Sequence, residues 1–144
     1  MRALSHGWAW LLLFLVSIWM TDTAAFFVGS RLKGPKLWPD ISPGKTISGA
    51  IGGLVGGVIG ALLFGLVFLP GHSVWQFMSL GFISSIAGQL GDLIESAYKR
   101  TAGVKDSGHL LPGHGGILDR IDSLLFAAPF AYYLIIIGFP NGLL

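Results

Sequence analysis

Four apolar stretches, each close to the ~20 residues a helix needs to cross a hydrocarbon core, constrain this chain more than any other feature. They run from Trp8 to about Val28, from Ile47 to Leu69, from Val74 to Leu90 and from about Ile117 to Ile137. The third continues as a helical pattern through "GDLIESAYKR", to about residue 100. Lipid offers no partner to a backbone amide, so such stretches must satisfy their own hydrogen bonds as helices. The expectation is an all-α integral membrane protein: one polytopic domain over residues 1–144, a bundle of about four transmembrane helices with site loops at the cytoplasmic edge. Only 11% of the residues are charged, against roughly a quarter in soluble domains. The first stretch has a rival reading as a cleaved signal peptide, since Met1-Arg2 precedes "WAWLLLFLVSIWM". Asp22 beside the candidate cut, and "AAFFVG" beyond it, favour a retained helix.

The charges are not spread along the chain. Arg31, Lys33, Lys36 and Lys45 follow the first stretch, Lys99, Arg100, Lys105 and Arg120 follow the third, and all seven acids lie in or beside the same two loops. By the positive-inside tendency both loops face the cytoplasm. A net charge of +2 without basic runs among aromatics argues against nucleic acid as a partner. With no cysteine, any metal must sit on oxygen or imidazole.

In the second stretch Gly49, Gly53 and Gly57 recur at a spacing of four, and so do Gly52, Gly56 and Gly60. These are two small-residue ridges on which another backbone can close up. Packing is the first reading, and a smooth slot for a lipid tail is the alternative. If the ridges and the polar helix ends would otherwise face lipid, self-association, as a homodimer or another oligomer, is expected.

Asp92 and Glu95 are three apart on one predicted helix, and Asp119 and Asp122 are three apart at the start of the next. That spacing puts each pair on one helix face, and converging carboxylates call for a hard divalent cation. Glu95 reads instead as an ion pair with Lys99 four residues on. The "PGHGG" segment supplies amides for a phosphate ahead of a helix N-terminus, with His114, and less so His109, as a substrate contact. Lys99, Arg100, Lys105 and Arg120 add the positive charge a polyphosphate needs. The "GKT" at Gly44–Thr46 is not a nucleoside-triphosphate loop, because Pro39 stands where that motif needs glycine. Ser42, Lys45 and Thr46 can still hold phosphate, or Ser42 or Thr46 simply caps the following helix. Asp22, read as the inner end of the first span, either pairs with Arg31 or holds a metal or a ribose hydroxyl.

Together these segments resemble the phosphatidate cytidylyltransferases, the CDP-diacylglycerol synthases. "SAYKRTAGVKDSGHLLPGHGGILDRID", Ser96 to Asp122, fills every fixed position of their signature, and "GDLIES", "SPGKT" and "DTAAFF" look like its upstream segments. Ile47, Ser48 and Phe26 depart from the usual residues, and Lys33-Gly34 reverses a Gly-Lys order. Family members run to about twice this length with further N-terminal spans. A short member, a fragment, or a chain completed by partners is therefore expected.

The resemblance implies transfer of CMP from CTP to phosphatidic acid, giving CDP-diacylglycerol and pyrophosphate. It implies Mg²⁺ on Asp92, Asp119 and Asp122, with room for K⁺ beside it. Lys99, Arg100, Lys105 and Arg120 would hold phosphates, and His114, Gly115 and Gly116 would form the loop over them. Ser42, Lys45 and Thr46 would meet CTP or the lipid phosphate, with Ser96, Asp106 and Asp22 completing the substrate set. A bacterial inner-membrane protein with its site toward the cytoplasm is the matching location. The alternatives are a truncated, inactive family member acting as a subunit, and a small cation transporter using Asp22, Asp92 and Asp119.

Overall fold

The structure, a computed structural model, describes residues 7–103 and 118–139, with side chains from Ser123 onward in the second stretch. Four helices appear: α1 (Gly7–Leu32), α2 (Ile47–Phe68), α3 (Val74–Thr101) and α4 (Leu118–Gly138). The first three are long and apolar enough to cross a membrane, and the apolar part of α4 from Ser123 to Gly138 is shorter. At 1.5 Å per residue, α3 is about 42 Å long and exceeds a hydrocarbon core of about 30 Å, so its polar last turns stand beyond it. Apolar and aromatic residues close one end. Trp10 of α1 stacks on Phe139 at 5.9 Å and meets Phe77 of α3 at 6.1 Å. The end of α4 therefore lies beside the start of α3, and the two run antiparallel. Trp10, Leu13, Ile18, Phe77, Leu80 and Ile135 form the centre of the core.

Glycine decides how α1 and α2 meet. A Cβ on Gly49 would stand 2.9 Å from the Ala25 carbonyl oxygen, and one on Gly53 would stand 2.9 Å from that of Thr21. A Cβ on Gly52 would stand 2.6 Å from the Val28 side chain, and one on Gly60 would stand 2.6 Å from Met20. Both ridges thus face α1 of the same chain. Packing, not a lipid slot, explains them, and they leave no free seam for a second copy; the expectation of self-association loses that ground. Beneath this contact Thr21 donates its hydroxyl to the Ser17 carbonyl at 2.8 Å, so Ser85 of α3 is the donor in its 2.7 Å bond to Thr21.

The helical pattern did not announce the two short strands between α1 and α2. β1 (Lys36–Trp38) and β2 (Ser42–Thr46) pair antiparallel, Lys36 with Thr46 and Trp38 with Ser42, with an irregularity between the pairs. Pro43 sits in β2, which a two-stranded ribbon tolerates because its strands are both edges. The ribbon delivers Thr46 as the N-cap of α2, its hydroxyl accepting from the Gly49 amide at 3.1 Å. Thr46→Ala is expected to cost about 1 kcal/mol, and Thr46→Ser to cost less, read as thermal midpoints in detergent.

Candidate active site

Beside the ribbon lies a cavity of about 840 Å³. Asp22 of α1, Lys45 and Thr46 of β2, and Gln89 and Asp92 of α3 are among its polar lining. Gly29 and Gly49 bring α1 and α2 together there: a Cβ on Gly29 would stand 3.3 Å from the Gly49 Cα. Asp22 is not at the end of its helix, because α1 continues ten residues beyond it to Leu32. An exposed acid so far inside a membrane helix is tolerated because it faces a cavity.

Lys45 forms an ion pair with Asp92, joining the ribbon to α3. Their side chains are 28% and 38% exposed, so the pair positions more than it stabilises. One turn earlier on α3, Gln89 donates through Nε2 to the Ala50 carbonyl at 3.2 Å, which sets α3 against α2 at this level. A Cβ on Gly88 would lie 3.7 Å from the Ser123 Cβ of α4. Because α3 and α4 are antiparallel, the residues just before Ser123 lie level with those just after Gly88. The backbone thus sets the first five residues of α4, which include Asp119, Arg120 and Asp122, near the height of Asp92.

The remaining predicted residues are placed as follows. Lys99 pairs with Glu95 at 3.6 Å, in the i,i+4 arrangement its spacing suggests. Arg100 donates from Nε to the Ile41 carbonyl at 3.4 Å, onto the ribbon. Ser42 lies opposite Trp38 in the ribbon, and Ser96 is half-buried on α3. These four do not line the cavity. Lys105, Asp106, His109, His114, Gly115, Gly116 and the side chains of Asp119, Arg120 and Asp122 lie outside the described residues. Sequence reasoning missed Gln89, Lys33 and Lys36, which also line the cavity. The spacing of three between Gln89 and Asp92 was a usable signal for the first.

Among the described residues no three metal-ligating side chains gather. Mg²⁺ needs no such cage, since it keeps several waters and binds through one or two carboxylates plus substrate phosphates. Asp92, partly exposed and bounding the cavity with Asp22, is a fitting hard donor for it.

The same chain is matched from residue 1 to residue 137 by the cytidylyltransferase family model. The chain belongs to the cytidylyltransferase family. It is 50% identical over 131 residues to a protein of Bacillus subtilis (strain 168) named phosphatidate cytidylyltransferase, covering 90% of this chain and 48% of that one. A protein of the same name from Staphylococcus aureus (strain COL) is 48% identical over 133 residues, 92% of this chain and 51% of its own. One from Staphylococcus epidermidis (strain ATCC 35984) is 43% identical over 132 residues, again 92% and 51%. The chain spans about half the length of the curated relatives it matches. Membership of this family joins the three membrane-length helices in describing a membrane protein. It gives no support to the cation-path alternative raised from the acids alone.

Proposed function

We propose that the chain carries the site of a phosphatidate cytidylyltransferase, transferring CMP from CTP to phosphatidic acid. The observation that carries this reading is one cavity that gathers Lys45 and Thr46 of "SPGKT", Asp92 of "GDLIES" and Asp22 of "DTAAFF". Those segments are far apart in sequence, and relatives bearing this name share 43–50% of the residues. In this reading the membrane is a bacterial inner membrane and this end faces the cytoplasm, an orientation that the charge bias of the loops supports. There a lipid headgroup at the interface and a soluble nucleotide can meet.

In the reaction an oxygen of the phosphatidate phosphate attacks the α-phosphorus of CTP. The new P–O bond forms as the bond to the β-phosphate breaks, and pyrophosphate leaves with its electron pair. No covalent enzyme intermediate is needed, so catalysis consists of positioning and charge neutralisation. Lys45 gives its ammonium to phosphate oxygens, leaving Asp92 for the ion. The Thr46 hydroxyl, already holding the start of α2, can donate to a phosphate oxygen. Gly29 and Gly49 let α1 and α2 close up beside that hydroxyl, which fixes its place in the cavity wall. Asp92, with Asp119 and Asp122 from the start of α4, would hold Mg²⁺, which when bound supplies neutralisation of the polyphosphate. Lys99, Arg100, Lys105 and Arg120, with Ser42, Ser96, Asp106 and the His114–Gly116 loop, belong to the same proposal as phosphate and substrate contacts. A homodimer remains part of it, resting on the polar helix ends.

The test is direct. Purified chain in mixed micelles of detergent and phosphatidic acid, given CTP and Mg²⁺, is expected to release pyrophosphate and form a CDP-lipid. Asp119→Asn is expected to abolish both products. A chain that makes no CDP-lipid, alone or completed by the remainder of a full-length relative, overturns the reading.

A further inference from the structure

Lys33, directly after α1, turns the chain with φ 44°. Its amide closes the helix onto the Gly29 carbonyl at 3.2 Å. Glycine fills such a left-handed closing position without a steric penalty, whereas a lysine sets its Cβ against a carbonyl oxygen. A glycine stands next door, yet it serves another purpose: a Cβ on Gly34 would lie 3.1 Å from the Ser48 hydroxyl, where the linker crosses the first turn of α2. The chain therefore keeps a lysine where the backbone favours glycine. Strain of this kind, at the edge of a cavity, points to a use for the side chain.

Lys33 is exposed and lines the cavity together with Lys36 and Lys45. Among the described residues Lys45 pairs with Asp92, while Lys33 makes no ion pair. We propose that Lys33 is a phosphate-binding residue of this cavity, a cation at its rim that takes phosphate oxygens of an incoming substrate. This deepens the cytidylyltransferase reading and rests on it for the identity of the substrate. The chemistry is shared by the nucleotide polyphosphate and the lipid phosphomonoester, and the experiment separates them. A lysine at a helix C-terminus also complements the dipole. That role alone predicts lost stability on removal and unchanged anion binding.

The chain in detergent micelles is titrated calorimetrically with inorganic tripolyphosphate and, separately, with a short-chain phosphatidic acid, as wild type, Lys33→Gly and Lys33→Arg. Lys33→Gly is expected to keep or raise the thermal midpoint, because it relieves the left-handed lysine. It is expected to bind one probe about three- to tenfold more weakly, with a shallower salt dependence, and Lys33→Arg is expected to restore binding. The weakened probe names the source of the phosphate. Unchanged affinity of Lys33→Gly for both probes, weakening that Lys33→Arg does not restore, or a wild type that binds neither probe overturns the proposal. If Lys33→Gly weakens a probe while the wild type makes no CDP-lipid, alone or completed by the remainder of a full-length relative, the phosphate role stands and the cytidylyltransferase reading falls. If CDP-lipid forms and both affinities are unchanged, only the Lys33 proposal falls.

Discussion

Asp92→Asn is expected to lower cytidylyl transfer at least about a thousandfold, roughly 4 kcal/mol of transition-state stabilisation, in a chain that still folds. Asparagine keeps the shape and removes the charge. The loss of the Lys45 pair is a minor cost to stability, because both side chains are partly exposed and such pairs contribute about 0–1 kcal/mol. A rival account gives Asp92 the sole task of holding Lys45. Lys45→Met separates the two: under the rival account it would match Asp92→Asn, and the double variant would be no worse than either. If Asp92 meets the ion and Lys45 meets phosphate, Asp92→Asn is the more severe, and its activity falls at every Mg²⁺ concentration. Initial rates of pyrophosphate release measure this, and retention of more than about a tenth of wild-type activity would remove Asp92 from the chemistry.

Gly57→Leu is expected to prevent the bundle from assembling. A Cβ at this position overlaps the hydroxyls of Thr21 and Ser85 and stands 3.1 Å from the Ser17 carbonyl oxygen. Two of those groups are on α1 and one on α3, so three helices must separate to admit it. The 2.7 Å bond between Thr21 and Ser85 would break inside the core, costing the fully buried Ser85 hydroxyl that partner while Thr21 keeps its bond to Ser17. Even Gly57→Ala is expected to cost about 1–3 kcal/mol, the usual range for overpacking a filled core. Gly44→Ala is the control for stability: its added Cβ meets nothing within 4 Å, and the expected change is below about 0.5 kcal/mol. Size-exclusion profile and thermal midpoint in detergent report both. A monodisperse Gly57→Leu chain with the wild-type midpoint would contradict the packing described.

Much of the architecture could be read before any coordinates, for simple reasons. Apolar stretches of membrane length leave the backbone no choice but a helix, so the four helices fall on the four stretches, α1 extending to Leu32 and α3 to Thr101. The i,i+4 spacing of Glu95 and Lys99 is local, and the pair forms. Thr46 ahead of a glycine-rich helix reads as a cap, and it is one. The ribbon was not legible, since Lys36–Trp38 and Ser42–Thr46 are too short and too proline-marked to show alternation.

The cavity is where sequence reasoning ran out. Asp22, Lys45, Gln89 and Asp92 line one space only because α1, α2 and α3 cross at particular heights and rotations. Hydropathy cannot set those crossings, because in lipid one apolar face is as good as another and helices pair by shape. By itself, then, the chain's order of residues determined helices of membrane length, polar loops gathered toward one end and the family signature. The tertiary structure alone decided that the glycine ridges are filled by α1, that Asp22 faces a cavity from within its helix, and that Lys33 stands at the rim. Each of those depends on how closely two backbones approach, a distance that no local pattern encodes.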